Sequence, residues 1–308
     1  MEDFWIVVFE FLEAPRDFRE LGLTCKGALE KLRRFERKLK NCRHLERLLR
    51  MFPDKPWDFE AVSKNPGITL DFVKQNPDLP WDHDSLSENP NIGWDTVKNN
   101  PDINWNYYYL SMNPNITWDI VKKNRNREWN YMYLSLNPNF TWDIIKQNFN
   151  DSLYRYMSSN PNLNWDTVKN NPDVPWNYDW MSGNSFITWD IIQENPHLDW
   201  NFDRLSEHPN ITWEMIKENP HLKWNNSNVS INPNITFEII KQNPDFEWDY
   251  CYVSSNPNIT WEIIRDNPDF PWHYPSFSCN PNLTWEIIKD NSDLDWDWME
   301  LSYNTFGL

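Results

Sequence analysis

Apolar and polar positions return in the same order every 24 residues along most of the chain. The block is anchored by an Asn-Pro-x-hydrophobic-Thr-Trp-acid phrase. Its first Asn, or the residue replacing it, stands at Asn65, Asn89, Asn113, Asn137, Asn160, Asn184, His208, Asn232, Asn256, Asn280 and Asn304. Every interval is 24 residues except the 23 between Asn137 and Asn160. Such self-similarity marks a repeat architecture, not a single globular core.

Each block carries two phrases. The first is typified by Thr117-Trp118-Asp119-Ile120-Val121-Lys122. The Thr hydroxyl can accept a free amide proton of the first helical turn. The residue after the Trp, or after Leu70 and Phe237 where these replace it, is acidic in all ten copies, Asp71 to Glu286, and suits the positive end of the helix dipole. A cation follows three residues later in nine of the ten, Gln193 being the exception. An Asn-Pro then usually stops the helix, because the residue before Pro is driven out of helical geometry. The second phrase is typified by Trp105-Asn106-Tyr107-Tyr108-Tyr109-Leu110-Ser111, again capped by Asn or Asp and again closed by Asn-Pro. Period-2 alternation is absent, so both phrases predict short helices of roughly two turns rather than strands.

Helices this short are marginal alone, because nucleation is costly, so stacking must hold them. Eighteen of the 21 Trp residues sit at the two anchor positions, which predicts a core made largely of indoles. Burial of one indole contributes roughly 4–6 kcal/mol before entropy. The predicted fold is all-α: a right- or left-curved α-solenoid of about ten two-helix repeats over 51–308, behind a helical module at 1–50. At an interhelical spacing of about 8–10 Å the stack makes a curved rod roughly 80–100 Å long. One unit is irregular: a residue is missing between Asn148 and Asn160, and Ser152 stands where the second Trp belongs. It reads either as a decayed repeat or as a bend or partner notch.

Residues 1–50 follow a different pattern. An apolar helix ends near Leu12, Pro15 opens a second short helix, and a third begins after Cys25-Lys26. From Leu29 to Phe52 apolar residues recur every three or four positions, one stripe of an amphipathic helix with a basic outer face. Leu12, Pro15-Arg16-Asp17-Phe18, Leu21, Leu23 and Cys25-Lys26 together resemble an F-box. The likeness covers about 25 residues of the chain. It departs from the family pattern in lacking the opening Leu-Pro, in one residue inserted before Pro15, and in Gly27-Ala28 where a Trp is usual. The Trp/Asn-Pro repeats in turn look like repeat proteins encoded by large DNA viruses, several of which join an F-box to such an array. The resemblance implies a substrate receptor of a cullin-type ubiquitin ligase, in the cytoplasm, or the host cytoplasm if the chain is viral. Val8, Phe9, Phe11, Leu12, Pro15, Phe18, Leu21 and Leu23 would dock the ligase's adaptor subunit, and the repeats would recruit a target protein. The competing expectation is a structural or scaffolding repeat protein, such as a viral particle component. There the F-box-like segment serves only to cap the apolar face of the end repeat.

Charge and motifs narrow the chemistry. The net charge of −17 is uneven: residues 1–50 hold 12 Lys/Arg against 9 Asp/Glu, which leaves 17 against 37 for the remainder. An acidic array argues against nucleic acid, whose binding needs cations to displace counterions, and favours basic or polar protein partners. The four cysteines show no CxxC or His-paired spacing, which fits a reducing compartment. The start is neither a signal peptide nor a membrane span. No dinucleotide fingerprint, P-loop, HExxH, zinc spacing or GxSxG occurs, so the chain reads as non-enzymatic, with no cofactor and no metal site. The six His are scattered, His208 replacing a turn Asn and His273 a cap. Six Asn-x-Thr sequons (Asn115, Asn139, Asn210, Asn234, Asn258, Asn282) follow from the repeat, the Thr being a cap.

The most variable positions are the third and fourth after the second Trp. Among them Tyr108, Tyr109, Met132, Tyr133 and Trp180 are expected to form a recognition patch on one face, or else to fill gaps between helices.

Overall fold

The computed structural model describes residues 44–149 and 151–306. The described residues hold short helices and no strand. The chain divides into two compact units, 1–55 and 56–308. The boundary expected at 50/51 falls inside the helix His44–Met51, whose Leu45, Leu48 and Leu49 are buried, and the division comes after Lys55.

The unit 56–308 is an all-α solenoid, built from rows of two helices. The first phrase of each repeat forms helices such as Trp118–Lys123 and Trp261–Asp266. The second forms helices such as Phe59–Lys64, Tyr131–Leu136 and Tyr250–Ser255. Side-chain caps start the second helices: Asp82 accepts from Ser85 N, and Asn130 from Tyr133 N. The Thr caps are weaker. Thr188, Thr236 and Thr284 accept from the third residue on, at 3.3–3.4 Å, while Thr117 and Thr141 make no such bond.

The most deeply buried positions are not the indoles. They are an apolar site in the second helices (Leu86, Leu110, Leu134, Val229, Phe277), the residue three after the Asn (Ile68, Ile92, Ile116, Phe140, Ile235), and two polar sites, Ser and Asn. The Trp residues occupy the next layer, buried or half-buried. In it the first Trp of one row packs on the second Trp of the next, as in Trp94–Trp129 at 6.1 Å and Trp213–Trp248 at 5.3 Å. The expected packing of indoles between successive rows is present, but a second, deeper layer of Leu, Ile, Val and Phe side chains with Ser and Asn lies behind it.

The polar sites form two ladders. Asn113 donates from Nδ2 to the carbonyls of Ser87 and Asn89 in the row before, and accepts from Asn115 N through Oδ1. Asn137, Asn256 and Asn280 repeat the arrangement. Ser87 donates to His83 O and accepts Asn106 N from the next row. An outer rung is made by the sequon residues: Asn115 Nδ2 reaches Pro90 O and Ile92 O, and Asn258 reaches Pro233 O and Ile235 O.

These ladders close on themselves. Asn65 donates to Ser302 O and Asn304 O at 2.9 and 3.0 Å. Ser302 accepts Asp58 N, and Tyr303 donates its hydroxyl to Asp58 Oδ2. Trp57 packs edge-on against Trp298 at 5.2 Å. The last row thus bonds to the first as every internal row bonds to its neighbour, and the repeats form a ring. This replaces the open rod expected from the sequence. Direct helix-to-helix packing between rows runs through the second helices. On a closed circuit the more tightly packed helices are the inner ones, so the second helices line the inside and the first helices the outside.

The irregular unit is repaired within the ring. Residues Asp151–Ser159 form a 3-10 helix in the inner position. Phe149 fills the site of the missing indole, packing on Trp118 and Tyr131 at 5.3 Å each, as Trp129 packs on Trp94 and Tyr107. Beside it lies a groove of about 320 Å³ lined by Trp118, Val121, Arg125, Tyr131, Phe149 and Leu153.

Two expectations follow. Asn137→Ala takes the donor from Ser111 O, one of the two donors from Asn113 O and the acceptor from Asn139 N, and should cost about 2–4 kcal/mol in urea unfolding. Asn65→Ala should cost as much, because its acceptors lie in the last row; an open array would lose almost nothing there. The second concerns His208, which takes an Asn place in the ladder. Its Nδ1 accepts Asn210 N and its Nε2 faces Asn184 O. Burial lowers its pKa below the ordinary 6.5, against the opposing effect of the Asn184 carbonyl. The unfolded chain then binds the proton more readily, so stability is full above about pH 6.5 and falls as the pH drops through the folded value. His208→Asn should flatten the melting temperature across that window; an unchanged slope would rule out this residue as its source.

Candidate functional site

The inner helices present their variable positions on the face opposite the ladders. Between the N-cap and the buried aliphatic residue, each row offers two such side chains. Tyr108 and Tyr109 occupy them in one row, Met132 and Tyr133 in the next, Arg155 and Tyr156 in the irregular row, and Asp179 and Trp180 in the fourth. Four consecutive rows thus carry an aromatic ring at the same position: Tyr109, Tyr133, Tyr156 and Trp180.

The rings fall into two groups. Tyr108 stands edge-on to Tyr133 at 4.7 Å and to Tyr109 at 5.3 Å, and the Tyr108 and Tyr133 hydroxyls share a 3.4 Å hydrogen bond. That bond, with partial burial behind it, pushes the Tyr133 phenol up to about 12. Partial burial, and after it the carboxylates of Asp84 and Glu88, raise the Tyr109 phenol as well. Met132 is half-buried in the same stretch. Trp180 does not join this cluster: it stacks on Tyr156 at 5.8 Å and 23°. The Arg155 guanidinium lies 5.1 Å from the Tyr156 ring and 5.7 Å from Trp180. Of the expected patch, Tyr108, Tyr109 and Tyr133 are brought together, and Trp180 sits farther along the same arc.

Arg155 and Tyr156 were not among the expected residues. The one-residue deletion shifts them out of register when counted from the absent Trp; counting back from Asn160 would have found them. Tyr108 is 41% exposed, and Tyr109, Tyr133, Tyr156 and Trp180 are half-buried, whereas Leu110 beside them is fully buried.

Carboxylates flank the aromatic stretch. On one side are Glu60, Asp84 and Glu88; on the other, Asp179, Asp203 and Glu207. Several also tie neighbouring rows: Asn106 Nδ2 donates to Asp84, Asn201 to Asp179 and Asn225 to Asp203. Arg204 pairs with Asp179 at 3.5 Å.

Elsewhere the surface repeats itself. The ten acids after the first-phrase Trp, Asp71 to Glu286, are all exposed on the outer helices. Some pair within their own helix, as Lys98 with Asp95. Among the described residues no His, Cys, Asp and Glu side chains cluster as a metal ion would require. No helix among them is long and apolar enough to cross a membrane. The sequon amides are engaged in the outer rung, as described. A groove of about 490 Å³ between Trp213, Leu222, Trp224 and Phe246 is lined by an outer helix and the turns that follow it, at positions that recur in other rows. Cys279 donates to Glu300 at 2.8 Å, and burial followed by that bond pushes its thiol up to about 12, so it stays protonated.

The expected docking residues Val8, Phe9, Phe11, Leu12, Pro15, Phe18, Leu21 and Leu23 lie outside the described residues. The chain matches no protein-family model, no curated protein and no solved structure.

If the arc is a surface and not a core, Tyr109→Ala and Tyr133→Ala should each cost no more than about 1 kcal/mol in chemical unfolding, while Leu134→Ala should cost about 2–5 kcal/mol. Equal losses at the three positions would show that the tyrosines fill interhelical space.

Proposed function

We propose that the protein is a non-enzymatic interaction adaptor, whose ring captures a target protein on the inner-helix aromatic arc. The observation that carries this reading is the run of rings at one position in four successive rows, Tyr109, Tyr133, Tyr156 and Trp180, on a face that makes no ladder bond. Aromatic side chains concentrated on a rigid surface are the usual anchors of protein recognition. A ring whose backbone polar groups are bonded row to row holds them with little ordering cost on binding.

The F-box resemblance of residues 8–26 adds the second half of the proposal. That segment docks on the adaptor subunit of a cullin-type ubiquitin ligase, and the captured protein is presented for ubiquitylation. The scaffolding alternative needs the F-box-like segment as a cap for an exposed end repeat. Closure of the ladders through Asn65 and Asn304 removes the exposed end that motivated it, and so weighs toward the receptor.

The test is co-precipitation of the full chain with the ligase adaptor subunit. Binding should be lost on Leu12→Ala/Phe18→Ala, while Tyr109→Ala/Tyr133→Ala should retain the adaptor and lose the target. Failure of the intact chain to hold the adaptor would remove the ligase half of the proposal.

A further inference from the structure

The arc and its borders together describe the chemistry of what they hold. Rings of electron-rich tyrosine and tryptophan attract cations to their faces. The molecule already uses this on part of the arc, where Arg155 lies over both Tyr156 and Trp180. Among the described residues no Lys or Arg of the chain lies over Tyr108, Tyr109 or Tyr133. Three carboxylates stand before this stretch (Glu60, Asp84, Glu88) and three after it (Asp179, Asp203, Glu207). Glu60 and Asp84, like Asp203 and Glu207, are exposed. Asp84 and Glu88 are close enough to act on the Tyr109 phenol. Residues 51–308 as a whole carry 17 basic against 37 acidic side chains, so a cation meets a favourable field before contact.

We infer that the arc binds an extended protein segment rich in Lys and Arg, its cations resting on the tyrosine faces and pairing with the carboxylates at either border. This rests on the adaptor reading above and names the partner chemistry of the same site. The path along the ring from the helix bearing Asp84 to the helix bearing Asp203 covers five rows, roughly 40–50 Å at the usual interhelical spacing. An extended chain of about 12–15 residues lying along that curved path covers it. Nucleic acid is repelled by the same field.

Three peptides of about 14 residues test the inference on the full chain: one with Lys/Arg clusters at both ends, one with Glu in their place, one with Gln. Binding is read by fluorescence anisotropy at low and high salt. The basic peptide should bind, and affinity should fall about tenfold in Tyr109→Ala, in Glu60→Gln/Asp84→Asn and in Asp203→Asn/Glu207→Gln. Glu262→Gln/Glu286→Gln, which removes as many charges from outer helices, should change it less than about twofold. An equal loss in that control would reduce the effect to bulk attraction and overturn the inference, as would no binding of the basic peptide at low salt. Tyr109-dependent binding of the Glu or Gln peptide instead would overturn the basic chemistry and leave the arc as the capture site. Indifference of all three peptides to Tyr109→Ala would take the arc down with it. Circular dichroism of each variant keeps loss of binding distinct from loss of fold.

Discussion

A helix of six residues leaves most of its backbone polar groups without an intrahelical partner, since the first four N–H and last four C=O groups fall outside the i to i−4 ladder. A unit built from two such helices therefore has more orphaned groups than bonded ones, and at a buried corner each unmet carbonyl costs about 1–3 kcal/mol. The answer in every row is one side chain. Asn137 gives both amide protons to carbonyls of the preceding row, Ser111 and Asn113, and takes the turn N–H of Asn139 on its oxygen. Asp could not donate, and Gln would carry its amide one methylene too far. Where His208 stands, one ring nitrogen reaches Asn184 O and the other takes the turn N–H, so it offers the preceding row a single bond where Asn232 reaches Ser206 O, His208 O and Ile211 O.

The same rung fixes the spacing and tilt of successive rows. Ser and Asn hold neighbouring second helices in direct contact, whereas the first helices pack less closely on one another between rows and are bridged by Trp pairs, as at Trp213–Trp248 and Trp189–Trp224. A narrow inner edge and a wide outer edge make a wedge, and identical wedges curve in one plane until they meet. The seam uses no special chemistry. Asn65, Ser302, Trp57 and Trp298 make the contacts that internal rows make, so closure follows from repetition rather than from a latch.

Much of this was legible in the sequence. The period, the two helices, the Asn and Asp caps of the inner helices and the acid after each Trp needed only spacing and capping rules. Two features were not legible, for different reasons. The burial of Ser111 or Asn113 was hidden by a reading that assigns polar residues to turns and surfaces; their recurrence in every row was the available signal, and Asn-Pro was read only as a stop. Closure depends on a small angle per row, summed around the circuit, and no residue pattern encodes that angle directly. Phe149 shows a third limit. It lies outside the usual Trp position, and only the contacts with Trp118 and Tyr131 reveal that it stands in for the absent indole.

The division of labour within each inner helix explains why one face can vary. In the row of Tyr131–Leu136, Leu134 and Ser135, with Asn137 after them, are buried and bonded, and equivalents of all three occur in every row. Met132 and Tyr133 contribute neither a ladder bond nor a fully buried group, so the positions they occupy hold Asp84 and Ser85 in one row, Asp203 and Arg204 in another, with the fold unchanged. A fold held by polar rungs accepts side chains of different size and charge at these two positions, from the buried Ser85 to the half-buried Tyr133. The rings in four adjacent rows, Tyr109, Tyr133, Tyr156 and Trp180, lie half-buried on that face, Tyr156 and Trp180 pack on one another between rows, and none takes part in the polar rungs.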